Sequence, residues 1–149
     1  MRPRLTVIAV LLVSLAACGG DDGRARAAWI AGADAVCARV NAEIDALGEP
    51  ETLPEIADYA AKVQKIAERQ LAQLANLDEP KSDRDTIRAM LALVADGIDK
   101  TRQVEAAARK GDAETTFEIV DEIETLTAQA NGMARNYGLV DCAGGAATE

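Results

Sequence analysis

The sequence predicts an all-α protein, an up-down-up-down four-helix bundle closed by one disulfide. Apolar positions recur at intervals of three and four residues in four successive segments, which is the spacing of one helical face. The segments are joined by breaks of only about two to five residues, which favours antiparallel neighbours. Alanine and leucine dominate the apolar residues and aromatic residues make up only 3%, a composition that favours closely packed helices over sheets.

The first two segments have recognisable ends. The first ends at Gly48-Glu49-Pro50, and its apolar face comprises Trp29, Ala33, Val36, Val40, Ile44 and Leu47. Thr52 and Glu55 have the spacing of a capping box at the start of the second, which ends before Pro80 because proline disfavours helical conformation in the preceding residue. Its apolar face comprises Leu53, Ile56, Ala60, Val63, Ala67, Leu71, Leu74 and Leu77.

The third and fourth segments follow the same rules. Ser82 or Asp83 is expected to cap the third, whose face comprises Ile87, Met90, Leu91, Val94, Ile98, Thr101 and Val104. Gly111 suits a left-handed helix end, and Asp112 is expected to cap the fourth segment. The fourth face comprises Phe117, Val120, Ile123, Thr127, Ala130, Ala134 and Tyr137. Gly138, followed by an apolar residue, predicts a Schellman stop.

The N-terminus has the pattern of an export signal. Two arginines precede an apolar run of thirteen residues, 5–17, which is shorter than the roughly twenty that a membrane span needs. The run ends in Leu15-Ala16-Ala17-Cys18, which resembles the lipobox of bacterial lipoproteins. That resemblance implies a signal peptide over 1–17, acyl chains on Cys18, and a location on the extracytoplasmic face of the cell envelope. The alternative is a plain signal peptide with a chance cysteine. Residues 18–27 are expected to form a tether.

Cys37 and Cys142 remain after Cys18 is set aside. An even pair in an exported chain predicts a disulfide, because the compartment is oxidising. A redox pair of free thiols is the alternative, but the two cysteines lack the CxxC spacing and no histidine is present to activate a thiol. The predicted bundle spans 28–142 and is followed by a flexible tail over 143–149.

Four stretches extend the resemblance over most of the mature chain. These are "ADAVCARVNAEI", "LAQLANLDEP", the "GD" before the fourth segment, and "ANGMARNYGLVDC". Together they are similar to a family of small exported bacterial helical-bundle proteins of unassigned function. The resemblance implies the helical fold and the pairing of Cys37 with Cys142, and it implies no catalytic residue.

Composition narrows the possible functions. Residues 1–17 hold two of the 16 basic residues and none of the 25 acidic ones, so the mature chain has a net charge of -11. Such a surface repels nucleic acid, which we therefore do not expect as a partner. The chain contains no histidine, which removes the usual general base and the commonest metal ligand. We expect no enzymatic activity and no cofactor.

A few polar and small residues are candidates for a site. Glu118 and Glu122 are helical neighbours that a hard cation could bridge, although a solvated acidic face is the commoner reason for such a pair. Asn41 and Asn131 lie beside the apolar faces and either fix the helix register or line a polar pocket.

Gly97 and Gly132 fall inside predicted helices, where each costs about 1 kcal/mol relative to alanine. Each glycine either permits two helices to approach closely or leaves room for a ligand. The many neighbouring alanines favour the interpretation of close approach.

Two functions follow from these patterns. The first is a membrane-tethered protein-interaction or scaffolding module, anchored by acyl chains on Cys18 and binding a protein partner. The second is a carrier of a small apolar ligand between the helices. A module predicts a fully packed core, whereas a carrier predicts an apolar cavity of a few hundred cubic ångströms. The sequence favours the first, because the predicted faces contain enough leucine, isoleucine and valine to fill a bundle.

Overall fold

The computed structural model describes residues 20–144 as four α-helices and one short 3₁₀ helix. The elements are α1 (Asp21–Asp45), α2 (Leu53–Ala75), α3 (Arg84–Arg109), α4 (Ala113–Tyr137) and the 3₁₀ helix (Asp141–Ala143). Short links make consecutive helices antiparallel, and the described residues include no β-strand. The predicted all-α, up-down-up-down four-helix bundle is confirmed. Within residues 20–144, no helix has the length and apolarity needed to span a membrane.

Residues 1–19 and 145–149 lie outside the described part of the chain. The predicted signal peptide, Cys18 and most of the C-terminal tail therefore fall outside it. The predicted tether over 18–27 is wrong for the residues that are described, because α1 begins at Asp21. Asp21 and Asp22 favour a helix N-terminus electrostatically, and Arg24 forms an ion pair with Asp21. These first turns of α1 are mostly exposed and precede its buried face.

Several helix ends are set by local sequence as predicted. The capping box is present: Glu55 N–H donates to Thr52 Oγ1 at 3.4 Å, and Thr52 N–H donates to Glu55 Oε2 at 3.0 Å. Gly111 and Gly138 have φ angles of 76° and 104°, which is the left-handed conformation that glycine adopts without strain. Leu139 N–H donates to a carbonyl in the last turn of α4 at 2.9 Å, which completes the Schellman stop.

Asp83 occupies the N-cap position of α3, but its side chain makes no capping hydrogen bond. Its carboxylate instead accepts from the Tyr137 hydroxyl at 2.8 Å and from Ser82 Oγ at 2.9 Å, with Arg26 Nε 3.6 Å away. These hydrogen bonds lower the pKa of the Asp83 carboxyl. Burial, followed by the bond to Asp83, raises the pKa of Tyr137. Trp29 packs edge-to-face on the same tyrosine, with ring centroids 5.4 Å apart. Side chains of α1, α3 and α4 therefore meet at this end of the bundle.

Most of the buried apolar residues form two separate clusters. One lies at the end where α1 begins and α4 ends, called the Trp29 end, and comprises Trp29, Ala33, Val36, Leu74, Ile87, Met90, Ala134, Tyr137, Leu139 and Ala143. The other lies at the opposite end, called the Ile119 end, and comprises Ala60, Val104, Ala107 and Ile119. No α1 residue belongs to the second cluster, so α2, α3 and α4 alone form the core there.

The buried face of α4 differs from the prediction at two positions. Phe117 is 55% exposed and Thr127 is also exposed, whereas Thr116 is fully buried and Ile119 lies in the core. The Thr116 hydroxyl donates to the Asp112 carbonyl at 2.6 Å, so burial leaves no polar group unpaired. The face through Thr116 and Ile119 therefore turns inward, and Phe117, one position further along the helix, points away from the core.

We expect Tyr137→Phe to destabilise the protein more at neutral pH than in acid. Because the pKa of Asp83 is lowered in the folded state, its bond to Tyr137 stabilises the fold above the ordinary carboxyl pKa of about 3.9. That contribution is lost as the pH falls through the lowered folded value. Urea unfolding of both proteins at a series of pH values from 6 to 3 should show their difference in unfolding free energy shrinking.

Tyr59→Phe is the matched control, since the Tyr59 hydroxyl has no hydrogen-bonded carboxylate among the described residues and is neutral in acid. Its effect on stability should not change over the same range. An equal effect of Tyr137→Phe at pH 6 and pH 3 would contradict the role assigned to Asp83.

Candidate functional site

Residues 139–144, here called the C-terminal strap, fold back from the end of α4 and contain the 3₁₀ helix. The 3₁₀ helix contacts both α1 and α4, and it lies between them. The strap therefore separates the backbones of α1 and α4 where a closed bundle would bring them together.

One face of α1 holds the strap. Cys37 and Cys142 form the predicted disulfide, with their Cα atoms 5.0 Å apart. One helical turn earlier, the Asp34 carboxylate accepts hydrogen bonds from three consecutive strap N–H groups, those of residues 140, 141 and 142, at 3.0, 3.0 and 3.2 Å. It acts as an N-cap supplied by another helix, since it pairs N–H groups that the 3₁₀ helix leaves unpaired.

Asn41 lies one turn beyond Cys37 on the same face of α1. Its Nδ2 donates to the Asp141 carbonyl at 3.0 Å, so it holds the strap and does not pair with Asn131 across the helices. The expectation that these amides fix helix register is wrong for Asn41. Both asparagines line a cavity, but most of its wall is apolar, which differs from the polar pocket that the sequence also allows.

A cavity of about 320 Å³ lies in the middle of the bundle, between the two core clusters. All four helices and the strap line this central cavity, and most of the lining residues are apolar. They are Cys37, Val40, Asn41, Ile44, Val63, Ala67, Gln70, Leu93, Val94, Gly97, Ile98, Thr101, Ile123, Leu126, Thr127, Ala130, Asn131, Asp141, Cys142 and Gly144. The expected fully packed core is therefore wrong. Thr127 and Gly144 are exposed and mark the opening of the cavity to solvent.

Small side chains explain why the middle of the bundle is not filled. Ala67, Gly97 and Ala130 face the same space from α2, α3 and α4. A Cβ atom added at Gly97 meets no heavy atom within 4 Å, so this glycine does not serve close helix approach. The same holds for Gly132, which lies in a surface groove between α3 and α4. The prediction of close approach is wrong at both positions.

The polar groups of the cavity wall are few. Among the described residues, Asp141 is the only ionisable side chain that lines it. The Thr101 hydroxyl donates to the Gly97 carbonyl at 2.8 Å and is satisfied within α3. Gln70 Nε2 donates to Cys37 Sγ at 3.4 Å. The wall can therefore contact an aliphatic group, and within residues 20–144 it brings together no set of acidic or basic side chains.

The candidate cation ligands on α4 lie on the protein surface. Glu118 and Glu122 are both exposed, and the Glu122 carboxylate forms an ion pair with Lys100 of α3. Within the described range, no group of three or more cysteine or acidic side chains is arranged to hold a metal ion. The pair belongs to a solvated acidic face.

Comparisons of the chain with protein-family models, curated proteins and solved structures give no match.

Sequence reasoning missed Asp34, although a signal for it was present. Asp34, Cys37 and Asn41 follow one another at intervals of three and four residues, which places them on one face of α1. Cys37 is expected to form a disulfide with the distant C-terminal segment. Polar residues on the same helix face as Cys37 are therefore expected to contact that segment as well.

We expect Asp34→Ala to lower the free energy of unfolding by about 1 kcal/mol, the usual cost of losing a cap. The N–H groups of residues 140–142 should also exchange faster with solvent, because they lose their acceptor. Urea unfolding and amide hydrogen exchange of the oxidised protein measure the two effects.

Asp45→Ala provides the control, as Asp45 is an exposed aspartate on the same helix. It should leave exchange at residues 140–142 unchanged. Equal protection of these amides in the Asp34→Ala variant and the parent protein would show that the carboxylate does not hold the strap.

Proposed function

We propose that the protein is a non-enzymatic binding protein that holds a small, mostly aliphatic molecule in the central cavity. The cavity itself supports this proposal: at about 320 Å³ it falls within the usual size range of small-molecule sites. An engineered apolar cavity of about 150 Å³ holds benzene, so the central cavity can hold about a dozen non-hydrogen atoms. Its walls are mainly aliphatic, and its opening gives a ligand access.

The reason for preferring an interaction module no longer applies. That preference depended on a fully packed core, whereas the middle of this bundle is open. Phe117 is an exposed large apolar side chain, but single exposed residues of this kind are common on monomeric proteins. An acidic outer surface is as typical of a protein that is simply solvated as of one that binds a protein partner.

Gly97 adds to the open space of the central cavity. Glycine inside a helix costs about 1 kcal/mol relative to alanine, and no neighbouring atom requires its small size. It lies in the cavity wall, where any side chain would reduce the space for a ligand.

We expect Gly97→Leu to abolish binding of a neutral probe, 1-nonanol, by filling the cavity. Binding to the folded state raises the free energy of unfolding by an amount that grows with the logarithm of ligand concentration above Kd, so 1-nonanol should raise Tm in the parent protein. It should have no effect on the Tm of the variant. Calorimetric titration of the folded proteins would measure the affinity directly.

Gly132→Leu is the matched control, because it places the same side chain in an equally open helical position outside the cavity. It should respond to 1-nonanol like the parent. Loss of binding in Gly132→Leu and not in Gly97→Leu would move the site to the α3–α4 groove. Absence of binding in the parent would overturn the proposed function.

We also propose that acyl chains on Cys18 tether the protein on the extracytoplasmic face of the envelope. The support is the Leu15-Ala16-Ala17-Cys18 motif directly after an apolar run too short to span a membrane. Cys18→Ala should shift the protein out of the membrane fraction, measured by immunoblotting after cell fractionation.

Cys142→Ala is the control for loss of a cysteine and should stay with the membranes. Recovery of Cys18→Ala in the membrane fraction at the parent level would contradict the tether.

A further inference from the structure

The C-terminal strap closes one side of the central cavity. Three of its residues, Asp141, Cys142 and Gly144, line the cavity. The backbone of α1 lies close to α2 and to the 3₁₀ helix, and it does not lie close to α4 over any comparable length. Gly144 is exposed at the opening of the cavity, so any movement of the strap away from α1 widens that opening.

The strap is held by one covalent bond and a small number of weaker contacts. The covalent bond is the disulfide between Cys37 and Cys142. The weaker contacts are the hydrogen bonds with Asp34 and Asn41, one further hydrogen bond from Arg135 at 3.1 Å, and the burial of two apolar strap side chains. A segment of six residues with so few contacts opens locally at a lower cost in free energy than a packed helix does. The disulfide keeps the strap on α1 when the weaker contacts break.

The disulfide can be broken by a dithiol, and the exposure of its two residues indicates where. Cys37 is 2% exposed, whereas Cys142 is half-buried, so a thiolate reaches Cys142 more easily. Its attack on Cys142 Sγ forms a mixed disulfide and releases Cys37 Sγ as a thiolate, which takes up a proton. The second thiol of the reductant then displaces Cys142, which becomes a thiol in turn. The protein gains two electrons and two protons, and the dithiol becomes an intramolecular disulfide.

We propose that the redox state of the Cys37–Cys142 disulfide controls how long a ligand stays in the central cavity. In the oxidised protein the strap is fastened to α1 and retains the ligand. After reduction by a dithiol, only the weaker contacts hold the strap, so it opens more often and the ligand leaves faster. This inference depends on the proposed binding function and adds its regulation.

The dissociation rate of 1-nonanol tests the proposal directly. Exchange spectroscopy between the free and bound signals of ¹³C-labelled 1-nonanol measures this rate in the full mature protein, before and after reduction with dithiothreitol. Reduction should raise the rate at least about tenfold, because local opening of the strap then needs no covalent bond to break. Equal rates in the oxidised and the reduced protein would overturn the inference.

Two cap variants separate opening of the strap from a general loss of stability. In the reduced protein, Asp34→Ala should raise the dissociation rate by about a further fivefold, the change that corresponds to one lost cap. In the oxidised protein its effect should be smaller, since the disulfide still holds the strap. Thr52→Ala removes a cap of the same kind from α2 and should leave the rate unchanged in both redox states. If Thr52→Ala speeds release as much as Asp34→Ala does, the inference is wrong.

A measurement on the oxidised protein keeps the inference testable if the reduced protein does not stay folded. Because coupling between two sites is reciprocal, a ligand that favours the closed strap must also protect the disulfide. Saturating 1-nonanol should therefore slow reduction by dithiothreitol at least about threefold, followed by alkylating the free thiols and measuring the mass increase. Gly97→Leu, which is expected not to bind the probe, should be reduced at the same rate with and without it. An unchanged rate in the parent protein would contradict the inference.

The possible outcomes separate the two proposals. If 1-nonanol binds the oxidised protein but neither leaves faster after reduction nor slows reduction, the inference is wrong and the binding function stands. If 1-nonanol binds in neither redox state, the proposed function fails and the inference fails with it.

Discussion

The attachment of the C-terminal strap to α1 is the constraint on which the rest of the structure depends. A carboxylate, a disulfide and an amide on three successive turns of one helix face fix the strap along α1. Side chains of α1 and α4 meet towards the Trp29 end. Further along α1, the strap contacts both helices and holds their backbones apart. The central cavity lies in the space that results, and the strap forms part of its wall. The same contacts that order the end of the chain therefore keep the middle of the bundle open.

Local signals made most of the fold predictable. Apolar spacing located all four helices, and the Thr52–Glu55 box, Gly111 and Gly138 marked their ends, since each acts within a few residues of itself. The disulfide followed from having two remaining cysteines in a chain predicted to be exported. Such features depend on neighbours in the sequence or on a simple count, and they do not require knowledge of how the helices pack.

The site was less predictable because it depends on which side chains meet. Spacing alone allowed either Thr116 or Phe117 on the inner face of α4, and pairing of the Thr116 hydroxyl within its own helix permits the polar residue to be buried. The expectation that the leucine, isoleucine and valine of the predicted faces fill the bundle was the main error. Ala67, Gly97 and Ala130 instead line the same cavity from three different helices. The sequence of any one helix does not show that these small residues meet. Similarly, the Asp83 side chain does not cap α3, because its carboxylate accepts a hydrogen bond from Tyr137, which is far from it in sequence.

The disulfide also sets an order of events for biogenesis. Cys37 and Cys142 are separated by 105 positions. Between them lie the end of α1, the whole of α2, α3 and α4, and the start of the strap. The thiol of Cys37 has no native partner until the chain has been synthesised as far as Cys142, beyond all four helices. The bond is therefore a late event, and the Asp34 carboxylate, which needs no oxidant, is available to position the strap before the thiols join. Until then, the Cys37 thiol can pair with another thiol, so the strap's contacts with Asp34 favour the native disulfide by holding Cys142 beside Cys37.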